Sequence, residues 1–137
     1  MNVSGLNHYT IRCTPPEVDG IREFYTRVLR LQVGDRPTMP RPGCWLYGTQ
    51  GTPIVHIYAA LDDPIDAATG SLDHISFSVS GLYATRTVLR EAGIAFDELP
   101  VPGTSIHQIF LRDPKGLKVE LTFDLELEAG EKCRRMS

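Results

Sequence analysis

One pattern runs through this chain twice, and that constrains its fold more than any other feature. Leu6-Asn7-His8-Tyr9-Thr10-Ile11 resembles Leu72-Asp73-His74-Ile75-Ser76-Phe77, 66 residues further on. The stretch from Gln50 to Ile57 resembles Lys115 to Leu121 at an offset of 64, and Val28-Leu29-Arg30 resembles Val88-Leu89-Arg90 at an offset of 60. Three matches in the same order at nearly one offset point to a duplicated module of about 65 residues. The 137 residues then divide into two copies and a short tail. Each copy is too small to bury much surface alone, so the two are expected to form one domain over residues 1–123, with modules at about 5–61 and 71–123.

Each half reads as a strand, a helix and then short strands. Residues 6–13 alternate and carry β-branched and aromatic side chains, which predicts a strand. Val18, Ile21, Phe24, Tyr25, Val28, Leu29 and Leu31 recur at helical spacing. Short strands follow at 31–36, 44–49 and 53–60, and Pro64 with small neighbours marks a linker over 62–70. The second half predicts a strand at 72–79, a helix at 82–92 stopped by Gly93, and strands at 94–98, 106–112 and 117–123. Asp113-Pro114-Lys115-Gly116 is a turn between the last two strands. The charged tail 124–137 reads as a frayed helix or as disordered.

Composition excludes several classes of partner. A net charge of −3 argues against a nucleic-acid scaffold, and no apolar run is long enough to span a membrane. The N-terminal residues lack a basic segment followed by an apolar one, and Cys13, Cys44 and Cys133 form no CxxC pair. Reduced thiols in a cytoplasmic protein are the expectation.

Strand parity then sorts the polar side chains. Tyr9, Ile11 and Cys13 share one face and Leu6, His8, Thr10 and Arg12 the other. Likewise Val55, Ile57 and Ala59 oppose Ile54, His56 and Tyr58; Ile75, Phe77 and Val79 oppose His74, Ser76 and Ser78; Val119, Leu121 and Phe123 oppose Lys118, Glu120 and Thr122. His8, His56, His74 and Glu120 thus fall on the polar faces at equivalent points of the two modules. If the sheets curve around one cavity, three imidazoles and a carboxylate converge, a set suited to a divalent Fe, Zn, Ni or Mn ion.

These features resemble the vicinal oxygen chelate superfamily, which holds the glyoxalases, bleomycin-resistance proteins and extradiol dioxygenases. The resemblance spans residues 5–123 and rests on Leu6-Asn7-His8, Phe24-Tyr25 with Leu29, Leu72-Asp73-His74-Ile75, and Asp113-Pro114-Lys115-Gly116 leading to Val119-Glu120-Leu121. It implies an α+β fold in which two tandem βαβββ modules form a curved mixed β-sheet cup around a metal site, with helices outside. It also implies that His8, His56, His74 and Glu120 are ligands, that the metal chelates vicinal oxygens of a small substrate, and that two copies of the chain pair as a homodimer. Glu120 and His56 are then the catalytic candidates. Glyoxalase-like members commonly carry Glu or Gln where His56 stands, and ring-cleaving members carry Tyr ten residues before the Glu ligand, where this chain has Phe110.

Other residues on the polar faces are candidates for contacting substrate. Arg12 suits an anionic group, Tyr58 a bound oxyanion, and Trp45 an aromatic wall. His107, beside Gln108, either reaches the cavity or faces the helix, since its parity opposes Phe110. Asp35-Arg36 reads as solvated charge. A metal-dependent lyase, isomerase or dioxygenase is the leading expectation. The alternatives are a metal-independent binding protein that sequesters a small molecule or antibiotic, and a purely structural metal site.

Overall fold

The computed structural model describes residues 1–65 and 69–136, with the side chain of Lys132 set aside. The chain divides into two compact units, Met1–Asp66 and Ala67–Ser137. The centre of the predicted linker, residues 66–68, lies outside the described residues, as does Ser137.

The first unit contains β1 (Tyr9–Arg12), α1 (Val18–Glu23), β2 (Gln32–Gly34), β3 (Gly43–Tyr47) and β4 (Pro53–Tyr58). Its sheet runs β1-β4-β3-β2, with β1 parallel to β4 and the other pairs antiparallel. The second unit repeats the plan with β5 (Ile75–Ser78), α2 (Leu82–Glu91), β6 (Asp97–Pro100), β7 (Ile106–Arg112) and β8 (Lys118–Asp124). Its sheet runs β5-β8-β7-β6, again with the first and last strands parallel. Each unit is therefore the predicted βαβββ module. Its polar first strand lies directly beside its polar last strand.

Parity reads the core correctly. Ile11, Cys13, Val55, Ile57, Ala59, Cys44 and Leu46 are buried with Val18, Ile21 and Tyr25 of the first helical segment. Ile109, Leu111, Val119, Leu121 and Phe123 are buried with Leu89 of α2. Burial raises the Cys44 thiol above its ordinary range, and Arg22 and Arg36 partly offset this.

Several boundaries differ from the sequence reading. The 18–31 helix is two pieces, α1 and a wide π turn at Phe24–Val28, and a 3-10 turn at Pro15–Glu17 precedes it. The wide turn closes where Leu31 N–H donates to the Tyr25 carbonyl, with Arg30 in the left-handed region at φ 61°. A non-glycine there is uncommon, so no glycine marked this stop. The opening strands are shorter than predicted, and His8 and His74 stand just before them. The ladder starts at Tyr9–Val55 in the first unit and at the equivalent Ile75–Val119 in the second. The tail folds as a helix, α3 (Leu125–Met136), whose Glu128 accepts the Gly81 N–H at 2.9 Å.

The Asp113–Gly116 turn forms as predicted. Asp113 Oδ1 accepts the Lys115 and Leu117 N–H groups, both at 2.9 Å, and Gly116 takes φ 85°, which glycine adopts without steric cost. This fixes the exit angle into β8 and hence the register of Glu120.

Glu98 of β6 ties the second sheet to its helix. Arg86 of α2 donates to both its oxygens at 2.8 to 3.1 Å, and His107 Nε2 donates to Oε2 at 2.8 Å. These partners, Arg86 above all, hold the Glu98 carboxyl down at about 2. The folded value lies below the unfolded one. The pairing therefore stabilises the fold above about pH 4.5, and that contribution is lost as pH falls toward about 2. Thermal melts across this acid window are expected to show a shallower loss of stability for Glu98→Gln than for the wild type. Identical slopes would remove Glu98 as the cause.

Candidate functional site

The two units present related but unequal polar clusters. In the first, Thr10 sits beside His56 on the parallel strand and Trp45 faces it from β3. Trp45 stacks on the His56 ring with centroids 4.1 Å apart and planes at 9°. His8 stacks at 3.9 Å and 14°. Burial lowers the His56 imidazole below its ordinary range, with neighbouring His8 adding to the effect. Its Nε2 is buried and, among the described residues, has no hydrogen-bond partner. A buried nitrogen in that condition is short of a ligand, proton acceptor or water. His8 Nδ1 lies 2.7 Å from Asn7 Oδ1.

In the second unit the matching places hold Ser76, Glu120 and Phe110. Glu120 is a buried carboxylate, 6% exposed. Its Oε1 accepts from Gln108 Nε2 at 2.7 Å, and its Oε2 lies 2.6 Å from the Ser76 hydroxyl and 2.7 Å from that of Thr122. The two hydroxyls are themselves 2.6 Å apart. They carry two protons for three short contacts, so they either both donate to Oε2 or relay through one another. In each arrangement the carboxylate plane is fixed.

His74 Nε2 lies 3.8 Å from Glu120 Oε1. That is beyond hydrogen-bond range and within the ~4.2 Å that two donors, each about 2.1 Å from one cation, can span at most. The opposite ring nitrogen, Nδ1, lies 2.7 Å from Asp73 Oδ2, and Lys118 Nζ approaches the same oxygen at 3.1 Å. His74 and Lys118 hold the Asp73 carboxyl below its usual range. Phe110 meets the His74 ring edge-on at 5.9 Å, and Lys118 Nζ lies 5.1 Å from the Phe110 centroid.

The structure thus brings His8 to His56 and His74 to Glu120. Among the described residues, no three His, Cys, Asp or Glu side chains gather into a group able to hold a metal ion. The donor chemistry of each pair nevertheless fits a divalent cation. His74 and Glu120 aim an imidazole nitrogen and a carboxylate oxygen at neighbouring points, and His56 Nε2 has no competing partner. The His8 and His56 rings lie in nearly parallel planes with centroids 3.9 Å apart, so sharing one ion in the plane of both requires one ring to turn. The exposed His8 is the one with room to do so.

Arg12 is exposed at the end of β1, paired in register with Tyr58. His107 is not on this face. It is a largely buried side chain, 14% exposed, held by Glu98 on the helix side of its sheet. Its odd position relative to Gln108 and Phe110 puts it there, which removes it from the substrate-contacting candidates. Arg36 is not plain solvated charge: it is half-buried, Nη2 donates to the Arg41 carbonyl at 2.9 Å, and Nε is buried. Sequence reasoning missed Gln108 as a partner of Glu120. It also missed the roles of Asn7 and Asp73, whose signal was their matching place before each histidine.

A model of the Glyoxalase/Bleomycin resistance protein/Dioxygenase superfamily matches residues 5–121. No curated protein matches the chain. Among solved structures, a glyoxalase family protein from Bacillus anthracis is 19% identical over 90% of this chain and 98% of its own, with a TM-score of 0.73. A glyoxylase/bleomycin resistance protein/dioxygenase domain from Frankia sp. EAN1pec is 22% identical, covers 90% and 93%, and has a TM-score of 0.69. A lactoylglutathione lyase from Agrobacterium tumefaciens is 13% identical, covers 92% and 98%, and has a TM-score of 0.64. At these identities the likeness is one of fold.

Proposed function

Because the chain belongs to the glyoxalase, bleomycin resistance protein and dioxygenase superfamily, we propose that it is a divalent-metal-dependent enzyme acting on a small substrate with two neighbouring oxygens. The reaction is of lyase or isomerase type, or a dioxygenation. The observation that carries this is the His74–Glu120 pair, with Nε2 and Oε1 3.8 Å apart and Nδ1 of the histidine already engaged. The sequence offers His8 and His56 as the further candidate ligands, and the ion is Fe, Zn, Ni or Mn. When bound, it supplies Lewis-acid stabilisation of negative charge developing on the substrate oxygens.

The protein's own groups do the rest. Glu120 accepts or returns a proton at Oε1, the oxygen nearer His74, while Ser76 and Thr122 hold Oε2. His56, whose neutral form burial favours, offers at Nε2 one lone pair that takes either the ion or a proton. Trp45 and Phe110 exclude water beside each of them, and Tyr58 and Arg12 supply donors for an anionic substrate group. The working assembly is a homodimer.

Metal analysis after loading with each cation and desalting tests the reading. Wild type is expected to retain metal, and His8→Ala and His74→Ala to lose most of it. Equal metal content in all three would sink the proposal. A second reading is supported by the lack of any three-ligand group among the described residues and by the flat Trp45–His56–His8 stack. It is a metal-independent protein that sequesters a small planar molecule or antibiotic. It predicts stoichiometric binding without turnover, unchanged by chelators.

A further inference from the structure

The geometry points to Asp73 as a positioning residue that fixes the tautomer of His74 and so makes its Nε2 a standing ligand. This rests on the metal reading above. A carboxylate at neutral pH has no proton to give, so the 2.7 Å contact between Asp73 Oδ2 and His74 Nδ1 requires the proton on Nδ1. Nε2 then carries the lone pair, on the side of the ring nearer Glu120. Lys118 holds the same Asp73 oxygen at 3.1 Å, and the edge-on Phe110 ring packs against the imidazole, so the orientation is set from two sides. A histidine whose second nitrogen donates to a carboxylate is also the more basic ligand.

The repeat makes the inference sharper. The first module has the same device in weaker form: Asn7 Oδ1 lies 2.7 Å from His8 Nδ1. An amide can present either its oxygen or its nitrogen to the ring, so it permits both tautomers, whereas a carboxylate permits one. At the same motif position, the second module therefore carries the locked histidine and the first the adaptable one. His8 is the ring that must turn to share a cation with His56, and a softer hold suits it.

The test uses the full chain, labelled with nitrogen-15, metal-free and at about pH 8, where an ordinary imidazole is neutral. Long-range proton–nitrogen spectra are expected to show His74 protonated at Nδ1. In Asp73→Leu it is expected to move toward the Nε2–H form that histidine favours in water. Asp73 is 70% exposed, so the variant is expected to fold. Zinc affinity of the same variant is expected to fall about 10- to 100-fold. An unchanged tautomer in Asp73→Leu, or a changed tautomer with unchanged zinc affinity, would overturn the role. Wild-type protein that takes up no zinc, even while the tautomer responds, would overturn the metal reading and leave the contact merely structural.

Discussion

Glu120→Gln is expected to weaken divalent-metal binding by at least about 100-fold, beyond the ~10- to 100-fold typical of residues that only support a ligand. The same change is expected to cost no more than about 1 kcal/mol in the metal-free fold. The two numbers separate because the substitution keeps shape and removes charge. Ser76 and Thr122 are hydroxyls that can accept as well as donate, and the Gln108 amide can turn over, so a neutral amide at position 120 still finds partners. A cation loses the carboxylate that balances it. Chelator-competition titration gives the first number and urea unfolding in chelator gives the second. Unchanged affinity in Glu120→Gln would remove Glu120 from the ligand set. Glu120→Leu is the contrasting case. It strands the Gln108 amide without an acceptor and is expected to destabilise by about 1–3 kcal/mol more.

The largest effect on stability is expected at Phe123. Its side chain is fully buried on β8, the strand that pairs with both β5 and β7. Phe123→Ala removes a large apolar group and leaves a cavity that a strand held on both sides cannot close. The expected loss is about 3–5 kcal/mol, a large share of the 5–15 kcal/mol that a domain typically has. Urea midpoints at an unchanged slope would give the value directly. A loss under about 1 kcal/mol would mean that the core around β8 relaxes far more than a close-packed interior does. Unlike Glu120→Gln, this variant is expected to respond equally with and without metal in relative terms, which separates packing from ligation.

The polar faces that carry the candidate site are legible in the sequence. Alternation assigns His56 and Glu120 to the polar faces because side chains on a strand must point to opposite sides. The duplication supplies the equivalence between His8 and His74. What alternation cannot give is which strand lies beside which. The parallel pairing of β1 with β4 and of β5 with β8 joins residues 46 and 44 positions apart, and it is this pairing that sets Thr10 against His56 and Ser76 against Glu120. His107 shows the limit from the other direction: parity placed it opposite Phe110, but only the pairing of β6 with β7 supplied Glu98 as its partner, and only the approach of α2 supplied Arg86 to Glu98.

The sequence by itself determined the βαβββ plan of each module, the core faces, the Asp113–Gly116 turn and the family. The first three follow from local periodicity and turn chemistry, which act over a few residues, and the family from the resemblance of its motifs. Only the tertiary structure decided the hydrogen bonds of Glu120, the stacking of Trp45 and His8 on His56, and the place of His107. These depend on strand register and on helix packing, where partners far apart in the chain are brought within 4 Å or so by burial of the apolar faces. The duplication that bounded the fold at the outset is therefore a repeat of backbone and core. The tertiary structure shows its polar clusters to be unequal, with an imidazole stack in one module and a hydrogen-bonded carboxylate in the other.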